Sequence, residues 1–397
     1  MKTLFIAIVL VCTCSAVAAQ SIEQTVDSNN VFAFKLFNQL KGDHNLIYSP
    51  FSISSALAMT YAGAHTETEK QMSNVLCFGM GQEKLHKNFE KVMKDIEADN
   101  ADSLRLKVAN SLWAQKSYHF LAPYFELVKT KYHSELAYLD FTEPEKARDT
   151  INGCLERKTN DRIKDIIPEG MLNGETKLVL VNALYFKGQW MNPFIKAFTR
   201  KNVFTTAKGD TVSTLFMNNG KDDFFYFEDE QYQVLELPYK GNKVSMLIFL
   251  PREKKDFKNM DKGFDYTYYK RIIPMLKKEV VDISLPKFKT TYKFSLNNML
   301  AKMGMPLAFE QGHADFSGMT GNKDLFISNV LHEAFIEVTE AGTEAAAATA
   351  VVGRLTSAGF RNPLIFNADH PFMFVISDNT SGSILFMGQV VNPKQEE

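Results

Sequence analysis

The chain is poor in cysteine, with four in 397 residues: Cys12, Cys14, Cys77 and Cys154. That excludes a small scaffold framed by disulfides. Spacing does not decide whether Cys77 and Cys154 pair, and two separate buried thiols are the favoured reading. No stretch rich in Pro, Ser or Gly divides the chain, and no internal repeat occurs. The length would allow two or three domains, but nothing marks a boundary between them. Charge of one sign is also lacking: 45 basic residues face 46 acidic ones, for a formal net charge of -1. Electrostatic capture of nucleic acid is therefore not expected. No apolar run is long enough to span a bilayer comfortably. Common catalytic signatures are missing too. There is no Gly-x-Ser-x-Gly elbow and no phosphate-cradling glycine loop, and His332-Glu333 is not followed by the second His of a zinc-peptidase helix. No metal or cofactor is expected.

What the chain does have is ample material for a core, with 45% hydrophobic and 12% aromatic residues. Residues 1–19 read as a secretory leader. Lys2 supplies the positive end, Leu4 to Val11 the apolar centre, and Ala16-Val17-Ala18-Ala19 a small-residue cleavage site. A membrane anchor is the alternative, and a lipid-modified Cys12 or Cys14 is a weaker one. The expected product is soluble, exported and monomeric, a single domain over 20–397. Asn379-Thr380-Ser381 is a candidate glycosylation acceptor in a turn-like stretch.

The pattern changes along the chain. Helical periodicity marks Asn29–Leu40, Ser52–Ala62 behind Pro50, Thr66–Leu76, Glu83–Ala98 and Glu145–Asp165. Leu104–Trp113 alternates as a strand does. Lys177–Phe186 is an almost unbroken apolar run, as a strand buried on both faces requires. Tyr232–Pro238 and Val244–Pro251 form two strands around a turn at Gly241-Asn242. Further strands are expected at Val280–Leu285, Leu325–Ile327, Phe335–Val338, Phe372–Ser377 and Ser383–Val391. Helices first and strands later predict an α+β fold with large sheets.

The stretch from Glu340 to Ala350 is unusual. After Glu340 it holds one Gly, one lone acid behind the Thr (Glu344) and a run of small side chains. Alanine favours a helical turn, and small residues also suit a linker. A third reading is a segment able to become a central strand. Side chains alternate between faces at period two, which puts Thr343, Ala345, Ala347, Thr349, Val351 and Gly353 on one face. None of these is charged or large. Glu344 falls on the other face, where water can solvate it, whereas a charge on the buried face would cost several kcal/mol.

Four motifs in order give the chain a close resemblance to the serpin family over nearly all of the mature protein. They are Asn45–Gly63 (including Tyr48-Ser-Pro-Phe-Ser-Ile-Ser54), Val181-Asn-Ala-Leu-Tyr-Phe-Lys-Gly-Gln-Trp190 with Pro193-Phe194, Ser328–Ala350, and the pair His370–Phe374 and Ile384–Pro393. The resemblance implies three β-sheets, about nine helices and an exposed reactive-centre loop over about 341–363. It also implies that a serine protease attacks the loop as a suicide substrate and is trapped as an acyl-enzyme while the cut loop enters sheet A. Such a strand of ~14 residues spans roughly 45 Å at about 3.3 Å per residue. Its new ladder bonds, at ~1 kcal/mol each, total on the order of 10 kcal/mol. Every ~1.4 kcal/mol of lost transition-state stabilisation slows deacylation about tenfold.

By the same resemblance, the hinge is Gly342, Thr343, Glu344, Ala345, Ala346, Ala347, Ala348, Thr349 and Ala350. Ser49, Ser52, Asn182 and His332 form the shutter, a polar latch under sheet A. Counting from Glu340 puts the reactive bond at Thr356-Ser357, suited to an elastase-like protease. Arg354 or Leu355 is the alternative, Arg354 suiting a trypsin-like one. Two other classes remain open at this point: a non-inhibitory serpin that binds or carries a ligand, and a hydrolase using His332 with Ser49 or Ser52.

Overall fold

The computed structural model describes residues 22–98, 102–159, 161–254, 263–343 and 362–394. The first half contains helix α1 (22–40), strand β1 (Leu46–Tyr48), helices α2 (Pro50–Tyr61), α3 (Thr66–Leu76) and α4 (Gln82–Ala98), strand β2 (Leu104–Gln115), helix α5 (Ala122–Tyr132), strand β3 (Glu135–Leu139), helix α6 (Pro144–Lys158) and strand β4 (Leu178–Gln189). Strands dominate thereafter. They are β5 (Arg200–Thr205), β6 (Thr211–Glu228), β7 (Tyr232–Pro238) and β8 (Val244–Pro251), then, after α7 (Tyr266–Ile272), β9 (Lys277–Pro286) and β10 (Phe288–Ser295). Helices α8 (Asn297–Met303) and α9 (Ser317–Thr320) precede β11 (Asn329–Thr339), β12 (Gly342–Thr343), β13 (Leu364–Asn367), β14 (Phe372–Asp378) and β15 (Ile384–Val390).

The strands form two hydrogen-bonded sheets. The six-stranded one, sheet A, has the order β10-β11-β12-β4-β2-β3. The nine-stranded one runs β1-β15-β14-β8-β7-β6-β9-β13, with β5 on β6. The second and third sheets of the expected fold are thus joined through β6, whose start pairs with β5 and whose end pairs with β7. A register shift against β9 between Asn218 and Gly220 bends β6 where the two parts meet, as a bulge does.

Sheet A is covered on both faces, so its central strands carry apolar side chains on each. Behind it lies α2, buried along its whole length. Pro50 at its start and the Ser49 hydroxyl, which accepts from the Ser52 N–H, set its beginning. Its small Ser and Ala residues let it approach the sheet closely. In front lies a second core, in which Ile151 and Leu155 of α6 and Ile163, Ile166, Ile167 and Leu172 pack on Trp113, Val179, Val181, Ala183 and Leu331.

Four sequence expectations change. The first helix begins by residue 22 rather than at Asn29. The helix expected to reach Asp165 stops at Lys158. There the Thr159 hydroxyl donates to the Leu155 carbonyl and accepts from the Ile163 N–H, and Asp161 and Asp165 take positive φ. The chain beyond becomes a strap over sheet A, tied by Asn152, whose amide exchanges two 3.0 Å bonds with the Ile167 backbone. Leu325–Ile327 is not a strand, because the Ile327 N–H bonds the Ala308 carbonyl instead of a ladder partner. Cys77 and Cys154 are free and separate as expected, but half-buried rather than buried. Lys35 Nζ lies 3.2 Å from Cys77 Sγ.

Candidate functional site

Sheet A forks at its upper end. Lower down, β11 and β4 pair directly and in parallel, from Asn329 opposite Val179 to Phe335 opposite Tyr185. Higher up, β12 stands between them, with Thr343 opposite Val338 on one side and Gly188 on the other. Ile336 and Phe186 are the first residues above the closed part. The first two hinge residues, Gly342 and Thr343, are therefore already strands of the sheet. Residues 344–361, which include Glu344 to Ala350, Arg354, Leu355, Thr356 and Ser357, lie outside the described residues, as does the expected leader at 1–19.

Glycine is needed at this junction. Gly342 has φ +143°, and a Cβ there would stand 2.0 Å from the Gly188 carbonyl oxygen. A Cβ on Gly188 would in turn enter the Tyr239 ring, 2.6 Å from its nearest atom. Thr343 is completely buried, facing the core as the alternation requires. Its hydroxyl lies 2.6 Å from the Tyr239 phenol, which stacks on Trp190 at 4.5 Å. Burial pushes the phenol's pKa up, so it stays a neutral hydrogen-bonding partner.

The turn before β12 is pinned as well. The Trp190 indole donates to the Thr339 carbonyl at 3.0 Å, and the Trp190 and Phe194 N–H groups donate to the Ala341 and Glu340 carbonyls. The Glu340 carboxylate accepts from Lys287 Nζ and from the Thr199 hydroxyl, both at 2.9 Å. Burial alone would raise its pKa, but these bonds and its backbone hold it below the usual value. Tyr239→Phe should leave the buried Thr343 hydroxyl unpaired and cost about 1–2 kcal/mol. A shift in the urea unfolding midpoint would measure this, and an unchanged midpoint would show that the contact is idle.

Below the fork, the four shutter residues come together beneath the sheet, all of them completely buried. The Ser49 N–H donates to His332 Nε2 at 3.1 Å. His332 Nδ1 must then carry the ring proton, which it gives to Asn182 Oδ1. Asn182 Nδ2 donates to the Ser52 hydroxyl and to Asn110 Oδ1. The Ser52 hydroxyl reaches Asn110 Oδ1 at 3.2 Å, and Asn110 Nδ2 reaches the Ser55 hydroxyl at 2.7 Å. The network links α2, β2, β4 and β11. Burial depresses the His332 pKa to about 3, partly offset by its bond to Asn182. The ring is neutral at ordinary pH.

Asn110 and Ser55 belong to this network but were not expected from the motifs. A signal existed: Asn110 interrupts the inward stripe of Leu104, Leu106 and Leu112, as Asn182 interrupts Leu180, Leu184 and Phe186. The hydrolase reading finds no support in this arrangement. His332 meets the Ser49 backbone rather than a serine hydroxyl, and buried groups offer no face to a substrate. The glycosylation candidate Asn379 is exposed, but its Nδ2 is tied to the Asn242 carbonyl at 3.2 Å and the Ser245 hydroxyl at 2.8 Å.

Comparison with known proteins agrees with this geometry. Residues 27–393 match the family described as Serpin (serine protease inhibitor). An uncharacterised serpin-like protein of Methanosarcina acetivorans is 38% identical over 93% of this chain and 86% of its own length. The human leukocyte elastase inhibitor is 39% identical over 94% of this chain and 100% of its own. The crystal structure of human thyroxine-binding globulin complexed with thyroxine superposes with a TM-score of 0.85 at 30% identity, covering 94% of this chain and 100% of that one. The chain belongs to the serpin family, and its fold is the serpin fold.

Proposed function

We propose that this serpin is a secreted inhibitor of serine proteases that traps its target by inserting the cleaved loop into sheet A. One observation carries the reading: β12 already occupies the site of insertion, and its register can be extended. Continuing the Thr343 pairings downward brings Ala345 between Ile336 and Phe186, Ala347 between Ala334 and Leu184, and Thr349 between His332 and Asn182. Small side chains would meet large inward ones, and a hydroxyl would meet the polar pair. Those two residues now bond directly across adjacent strands. A strand between them would set their backbones roughly 10 Å apart, two strand spacings. The latch must then break, and Thr349 supplies a replacement partner. Glu344 would face outward beside Glu337 and Lys187.

The inhibitory relative favours an elastase-like target, consistent with cleavage at Thr356-Ser357. Arg354 would instead suit a trypsin-like enzyme, and the leader at 1–19 supports export. Similarity to thyroxine-binding globulin keeps a ligand carrier as the second reading. Incubation with elastase-like and trypsin-like proteases decides between them. An adduct that survives denaturing gels, with release of a fragment beginning at Ser357, is the expected result. Cleavage with no adduct under any protease would remove the inhibitory reading, and a fragment beginning at Leu355 would move the reactive bond to Arg354.

A further inference from the structure

Glu333 follows His332 on β11 and points to the opposite face of sheet A. Only 5% of it is exposed, and its Oε2 is buried without a hydrogen-bond partner among the described residues. Lys293 stands directly across on β10, but its Nζ donates to the Asp165 carbonyl of the strap at 2.9 Å. The Asp165 carboxylate also acts on Glu333, with the sign opposite to that of Lys293. Nearby, the strap brings Arg162 over the Phe335 ring and also carries Asp161 and Lys164. Helix α6 contributes the Cys154 thiol to this front layer, β4 contributes the Tyr185 phenol opposite Phe335, and β11 itself contributes Glu337. None of these groups satisfies Oε2.

On the other face, both ring nitrogens of His332 are taken, Nε2 as an acceptor from Ser49. A second ring proton would point at the Ser49 N–H. We propose that Glu333 and His332, back to back on one strand, form a compensating proton pair that keeps the closed sheet nearly equally resistant to opening between mildly acidic and neutral pH.

The signs are opposite. Burial, opposed by Lys293 and reinforced by Asp165, raises the Glu333 pKa from 4.5 to about 7. The closed sheet thus holds this proton more tightly than an opened one would, and gains stability as pH falls from 7 toward 4.5. His332 is depressed from 6.5 to about 3. The opened sheet takes up that proton more readily, so the closed form loses stability as pH falls from 6.5 toward 3. Linkage gives each group a change on the order of 20- to 40-fold in the opening equilibrium between pH 7 and pH 5, in opposite directions. The strap tightens as the latch loosens. This concerns the closed sheet itself and does not depend on the inhibitory reading.

The test is Glu333→Gln in the full chain, which keeps the shape and removes the titration. Unfolding rates in urea are followed by the fluorescence of Trp113 and Trp190. The quantity of interest is the rate of the variant divided by that of the wild type. Other titrating groups cancel in this ratio, including buried His86, whose pKa is also depressed. The ratio should rise tenfold or more from pH 7 to pH 5. A ratio independent of pH would overturn the proposal. Should the variant fold poorly, the carboxyl carbon resonance of Glu333 in selectively labelled wild-type protein decides: a midpoint near 7 supports the pair, and one below 5 sinks it.

Discussion

Thr343→Arg is expected to abolish stable inhibition and leave a protein that proteases simply cut. The reason lies in the fork of sheet A. Thr343 is completely buried, packed between β11 and β4, with its hydroxyl on the Tyr239 phenol. A guanidinium there would have to replace that contact with no carboxylate partner beside it among the described residues, at a cost of several kcal/mol. The first two residues of the inserting strand would leave the sheet, and the remainder would have to start from an unpaired edge. If insertion then slows about a hundredfold, through loss of about 3 kcal/mol from its transition state, hydrolysis of the acyl-enzyme outruns trapping. The measurement is the number of inhibitor molecules consumed per protease inactivated, which should rise at least tenfold while the rate of loop cleavage stays similar. Thr343→Ser, which keeps the hydroxyl, should remain an inhibitor. Unchanged adduct yield with Thr343→Arg would contradict insertion from this register.

Much of this architecture could be read from residue order, and the exceptions have physical causes. The unbroken apolar run of β4 predicts a strand buried on both faces, and that is where the run lies. The alternation after Glu340 places Thr343 inward, and it is inward. Periodicity fails at the end of α6, because Ile163, Ile166 and Ile167 keep an apolar spacing after the helix has ended at Lys158. The strap needs those same residues as anchors, so helix and strap write the same pattern. Leu325–Ile327 is apolar for burial alone. Motifs could nominate Ser49, Ser52, Asn182 and His332, but the network closes through Asn110 on β2, 72 residues before Asn182, and only the strand pairing brings the two side by side. The missing partner of Glu333 is likewise a property of three-dimensional packing, since Lys293 faces it and bonds elsewhere.

Asn182→Ala should be the most damaging single change in the latch. The amide accepts from His332 and donates to Ser52 and Asn110, so its removal orphans a buried ring N–H and takes one partner each from the Ser52 hydroxyl and Asn110 Oδ1, which keep only their bond to each other. Each unsatisfied buried group costs about 1–3 kcal/mol, and the small cavity adds to this. A loss of about 3–5 kcal/mol is a large part of the stability of an ordinary domain. β4 and β11 would then be held at this level by ladder bonds alone, and the sheet should open more often. The variant should therefore show a lower urea midpoint and, on warming, conversion to inserted or chain-linked forms at temperatures where the wild type stays native. Leu180→Ala, on the same face of the same strand, is the control. It makes a comparable hole but orphans no polar group. The two differ in pH response: without Asn182 the His332 ring loses a bond that raises its pKa, but it gains room for water, which relieves the larger effect of burial. The folded-state pKa should rise from about 3 toward the ordinary histidine value of 6.5, so the lower edge of the acid-sensitive window moves up and the window narrows, whereas in Leu180→Ala the window should stay as it is in the wild type. Equal pH profiles in the two variants would mean that Asn182 fills space rather than latching the sheet.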